Sequence, residues 1–80
     1  MKNLREILES KTKEELAYLY ALASYQFNKK QGLKADESNI NHEAEYLLII
    51  DKNFGGVFGE RMINALLKEV SAENLRPEQI

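Results

Sequence analysis

Apolar residues recur at helical spacing in four stretches of the chain, and nowhere at the alternating spacing of a strand bounded by turns. Leu4, Ile7 and Leu8 share one face of a short first helix, expected over about residues 2–10, with Lys2–Glu6 and Arg5–Glu9 at i,i+4 ion-pair spacing. Thr12-Lys13-Glu14-Glu15 has the form of a capping box, in which the threonine oxygen and the glutamate side chain satisfy each other's free backbone N–H groups. It opens a second helix over about residues 12–31, with Gly32 as the left-handed stop. Glu14 and Glu15 in its first turn and Lys29 and Lys30 in its last suit the helix dipole at both ends. Residues 32–39 read as a polar connector. Ser38, Asn39 or Asn41 is available to cap a third helix over about residues 40–53, with Ile40, Ala44, Leu47, Leu48 and Ile50 on its inner arc. Asp51 also falls on that arc, where a carboxylate requires either a fraying helix end or a partner cation such as an arginine. After Phe54-Gly55-Gly56, a fourth helix over about residues 57–70 has the cleanest two-sided pattern. Phe58, Met62, Ile63, Leu66, Leu67 and Val70 fill one half of its circumference, and Glu60, Arg61, Asn64 and Lys68 the other. Ser71 could cap one further turn before Arg76-Pro77 ends regular structure, leaving residues 76–80 as a tail. The expected fold is all-α: one domain, a compact bundle of three longer helices plus a short N-terminal helix.

The second helix is apolar on two opposite sides. Leu16, Leu19, Tyr20, Ala23 and Phe27 form one stripe, read as core; Tyr18, Leu22 and Tyr25 form another across from it. Covering the second stripe is worth several kcal/mol at about 25 cal/mol per Å², comparable with the whole stability of a small domain. Two readings are open. Either this helix is central and wrapped on several sides, or Tyr18, Leu22 and Tyr25 are a contact for another copy or another protein, a role that suits tyrosine. On the third helix Ile49 projects among polar residues and Tyr46 lies between the two faces, so both are possible extensions of such a contact.

Size and composition favour association. Eighty residues bury only about 60–65% of the surface their unfolded chain exposes, and the absence of cysteine removes disulfides and thiolate metal sites. The net charge of −2 supplies no positive field for nucleic acid or anionic lipid. Charge is uneven, with residues 31–60 holding six acids against two Lys/Arg. The N-terminus lacks the apolar core of a signal peptide, and the longest apolar run, residues 16–23, is far short of the roughly 20 needed to span a bilayer. The cytoplasm is the expected address.

Catalytic chemistry finds little support. His42-Glu43-Ala44-Glu45-Tyr46 begins like a zinc-protease helix, but Tyr46 stands where the second imidazole is required. Gly55-Gly56-Val57-Phe58-Gly59 lacks the spacing, the Lys-Ser/Thr and the preceding strand of a phosphate loop. Ser10, Ser24, Ser38 and Ser71 share one candidate base with nothing to orient it. The expectation is a non-catalytic protein–protein interaction module of adaptor, regulator or inhibitor type, self-associating as a homodimer and/or binding another protein, with no metal, cofactor, small-molecule substrate or membrane. An alternative is a helix-turn-helix-like nucleic-acid binder presenting Arg61, Asn64 and Lys68, residue types that reach guanine, adenine and phosphate. Glu60 on the same face and the scarcity of cations weigh against it.

Overall fold

Each long helix ends in the same hydrogen-bonded motif, a left-handed residue followed by an N–H that reaches back to a carbonyl of the last turn. A computed structural model describes residues 3–80; the expected start of the first helix at Lys2, and its pairing with Glu6, lie outside them. The element order is α1 (Leu4–Glu9), α2 (Lys13–Lys30), α3 (Asn39–Asn53), α4 (Gly59–Ser71) and a 3₁₀ turn at Pro77–Gln79, with no strand among the described residues. The expected all-α bundle of three longer helices and one short one is what forms.

At the end of α2, Leu33 N–H donates to Asn28 O (2.9 Å) and Gly32 takes a left-handed φ of 75°. At the end of α3, Gly56 N–H donates to Asp51 O (2.7 Å), with Gly55 at φ 84°. At the end of α4, Asn74 N–H donates to Glu69 O (2.9 Å), but the left-handed position at φ 63° is held by Glu73. These are Schellman closures, which recover carbonyls that would otherwise lack donors. Two use glycine, and the third bears a side chain that disfavours the conformation. The third also corrects an expectation: Ser71 is the last residue of α4 and caps no further turn.

The N-termini are less uniform. Asn3 Oδ1 accepts from Glu6 N–H at α1, and Thr12 and Glu15 form the expected capping box at α2. None of Ser38, Asn39 and Asn41 caps α3 with its side chain; Asp36 instead accepts from both the N–H (3.0 Å) and the hydroxyl (2.8 Å) of Ser38. Helix α4 starts at Gly59, two residues later than the apolar pattern implies, and has no side-chain cap of its own. Its cap comes from α3: Asp51 Oδ1 accepts from Phe58 N–H (2.9 Å). Asp51 is only 5% exposed, so it is neither frayed nor solvated. Lys13 supplies the partner cation, donating to Asp51 Oδ2 (3.1 Å) and Gly56 O (2.7 Å). Close approach here requires glycine, because a Cβ on Gly56 would sit 3.1 Å from Lys13 Nζ at a φ that already disfavours side chains.

Helix α2 is the central element. Both α3 and α4 pack on it, α1 packs on α4, and α3 and α4 hardly touch each other. Leu16, Ala17, Leu19, Ala21 and Ala23 are buried in α2, and the alanines let neighbouring backbones come close. Leu8, Ile40, Ala44, Met62, Ile63, Leu66 and Leu75 complete the core. On the expected inner arc of α3, Leu47 and Leu48 pack against this core, whereas Ile50 does not join it; Asp51 takes the inward position instead. Residues 76–80, expected as a tail, carry the 3₁₀ turn. Gln79 and Gln26 exchange side-chain hydrogen bonds (2.8 and 3.2 Å), and Ile80 packs against the core.

Replacing Glu73 with Gly relieves the one side chain held in a left-handed closure. It raises unfolding stability by about 0.5–1 kcal/mol, readable in urea titrations. Asp51 is held below its ordinary pKa of 3.8, first by the Phe58 N–H, and also by the Lys13 ammonium, against an opposing effect of burial. Its depressed folded-state pKa means that its stabilisation is full above that ordinary value and fades as pH falls through the lower folded-state value. Asp51→Asn therefore lowers Tm by several degrees at neutral pH, and its stability declines less than the wild type's on acidification below about pH 4. Glu15 and Asp36, also depressed by hydrogen bonds from Thr12 and Ser38, titrate alike in both proteins and cancel in the difference.

Candidate functional site

Helix α2 does not present its second stripe as one surface. Tyr18 is 44% exposed, beside Lys11, Glu14 and Gln79, but Leu22 and Tyr25 are half-buried and pack against the core. What covers Tyr25 is the connector and the first turn of α3: it shares a shallow cavity with Lys34, Asp36, Ile40 and Glu43. Lys29 Nζ lies 5.8 Å from its ring centroid, a cation–π contact. The reading in which α2 is wrapped on several sides thus accounts for Leu22 and Tyr25, and leaves Tyr18 outside. Phe27, expected in the core stripe, is 41% exposed, because α2 runs past the buried centre toward the end of α4.

Of the seven exposed large apolar residues among those described, Tyr18 and Phe27 lie on α2 and Leu33 (58% exposed) on the connector, and four lie on α3 and the turn that follows it. Tyr46, Ile49, Phe54 and Val57 are 57–66% exposed. Tyr46 and Ile49 lie on the side of α3 opposite the buried Ile40, Ala44 and Asp51. The half-buried Ile50 and the exposed Phe54 follow Tyr46 at i+4 and i+8, to the end of α3. There the α3–α4 turn begins, and the Phe54 and Phe58 rings stack with centroids 5.7 Å apart. Arg61 lies over the Phe58 ring (5.7 Å), and beside it a shallow groove is lined by Tyr20, Leu47, Met62 and Ala65. Around Ile49 stand exposed polar residues: His42, Glu45, Lys52 and Asn53. Tyr46 and Ile49 were legible as contact candidates in the sequence. Phe54 and Val57 were not, since they flank the two glycines and read as part of a closing turn.

The face of α4 proposed for nucleic acid is partly engaged by α1. Arg5, expected to pair with Glu9, instead donates to Glu60 Oε1 (3.1 Å) and to the side-chain oxygen of Asn64. Asn64 is thereby committed within the chain, Arg61 rests on an aromatic ring, and Lys68 is exposed. Nor do α3 and α4 pack as a pair, as the two helices of a helix-turn-helix do. His42 is exposed in the first turn of α3, and among the described residues no three His, Asp or Glu side chains converge as metal ligands. No helix among them is long and apolar enough to cross a membrane. Comparison with known proteins finds no matching family, no similar characterised protein and no similar solved structure.

The burial difference along α2 has a direct consequence. Tyr18→Glu changes unfolding stability by no more than about 0.5 kcal/mol, whereas Tyr25→Glu, which forces a charge against the core, destabilises by about 1–3 kcal/mol. Chemical denaturation of the two single variants separates them.

Proposed function

We propose that this chain is a small non-catalytic protein–protein interaction module, of adaptor, regulator or inhibitor type, whose contact is the outer face of α3 continued onto the α3–α4 turn. One observation carries the reading: Tyr46, Ile49, Phe54 and Val57, all within twelve positions on α3 and the turn after it, stand mostly in solvent. Large apolar side chains scattered singly over a surface are ordinary, but a contiguous set rimmed by polar residues marks contact sites. Two of the four are aromatic, the class that dominates interface energetics. The surface differs from the stripe of Tyr18, Leu22 and Tyr25, of which Leu22 and Tyr25 pack against the core. The proposed compartment is the cytoplasm, for which a cysteine-free chain is suited.

The test is a pair of substitutions on the exposed side of α3. Tyr46→Glu with Ile49→Glu leaves the helical circular dichroism and Tm unchanged, because neither side chain belongs to the core. It removes about 2 kcal/mol or more of association free energy. Association is measured for the wild type and the double variant by sedimentation across concentration, and by what each retains from cell extract when immobilised. Equal association by both proteins would reject this surface.

A further inference from the structure

We propose that the outer face of α3 takes a second copy of this chain in antiparallel orientation, with Glu45 of each protomer against the partner's Lys52. The inference rests on the association reading above and names the occupant of that surface. Glu45 and Lys52 lie on one side of α3, separated by seven residues, or about 10.5 Å of helix. That is too far for them to pair within the helix, and neither belongs to an ion pair among the described residues. Ile49 stands between them, so the face is negative toward one end, apolar at its centre and positive toward the other. A surface with that order is complementary to itself when turned end over end, as a two-fold interface requires.

The spacing of the other outer residues agrees. His42, Tyr46, Ile49 and Asn53 follow one another at intervals of four, three and four, the period of a coiled-coil seam. In an antiparallel pair, Tyr46 packs on the partner's Ile49 and His42 faces the partner's Asn53; both pairings are centred on the same point, between residues 47 and 48. The two charges are centred about one residue away, which offsets Glu45 from the partner's Lys52 by roughly 3 Å along the axis, a gap that long side chains span easily. A parallel pair gives neither charge an opposite one across the seam: Glu45 would face the partner's Ile50. Antiparallel helices also oppose their dipoles favourably. Tyr46, Ile49, Phe54 and Val57 offer on the order of 500 Å² of exposed surface. A standard interface takes about 800 Å² from each partner, and the exposed His42, Glu45, Lys52 and Asn53 supply the rest.

Charge exchange tests the pairing with the full chain. Glu45→Lys and Lys52→Glu are each measured alone and in equimolar mixture by sedimentation equilibrium at low salt, beside the wild type. The wild type is expected to dimerise. Each single variant, with two like-charged contacts per dimer, is expected to bind itself about tenfold or more weakly. The mixture is expected to recover wild-type affinity as a heterodimer, since each variant then meets the charge it needs. Both residues are exposed, so circular dichroism stays unchanged. A dimeric wild type whose single variants dimerise equally well, or whose mixture fails to recover, overturns this register while leaving the α3 surface to the Tyr46/Ile49 result. A wild type that stays monomeric to millimolar concentration overturns the second copy as occupant, and a different protein retained only by the unsubstituted surface would then carry the association reading alone.

Discussion

A buried carboxylate joins three of the six ends of the long helices. Asp51, in the last turn of α3, accepts the Phe58 N–H that α4 cannot cap for itself, and holds the Lys13 ammonium at the start of α2. Lysine in the first turn of a helix opposes the helix dipole. It is tolerated here because Lys13 has a carboxylate and a carbonyl to donate to, and it keeps partial contact with water, with a side chain 42% exposed. That exposure spares the ammonium, though not the buried Asp51, a full desolvation; in a fully buried ion pair both charges lose water, and the cost can exceed the Coulombic gain. With α3 and α4 hardly touching, this cluster and the shared packing on α2 are what fix one relative to the other.

The same interaction sets the rotation of α3. A residue inward at 51 places Ile49 about 160° away and Tyr46 about 140° away around the helix. Burying Asp51 therefore turns both outward and leaves Ile50, which apolar patterning alone would send inward, at the margin. The exposed surface of α3 follows from a polar contact two turns or less from it, and not from any shortage of apolar residues in the interior.

Much of the architecture was legible because its signals are local. The capping box at Thr12, the left-handed stop at Gly32 and the two-sided pattern of α4 each depend on residues within a few positions of one another, and each forms as its chemistry dictates. What was not legible involves partners distant in sequence. Lys13 and Asp51 are 38 residues apart, Gln26 and Gln79 are 53, and Arg5 and Asn64 are 59. Helical phase alone made the Tyr18, Leu22 and Tyr25 stripe look uniform; only the placement of the connector and α3 reveals that Tyr25 is covered and Tyr18 is not. Glu73 had no local signal either, since a left-handed closure normally announces itself by glycine.

The outer face of α3 also cannot be hidden by a modest rearrangement within the chain. Rotating α3 to bring Ile49 inward would carry Asp51 out, stranding the Phe58 N–H and leaving Lys13 with one acceptor instead of two. Helix α2 has no vacant side to receive it, because its residues 16–26, Tyr18 excepted, are all buried or half-buried. The thinnest dimension of the Cα trace is 16 Å, about two packed helices deep, so there is no further interior to move into. Folding has already used the contacts available to it, and Tyr46 and Ile49 lie beyond them. On the proposed reading such side chains gain burial from a partner, and the charges that frame Ile49 determine which orientation of a second copy would suit them.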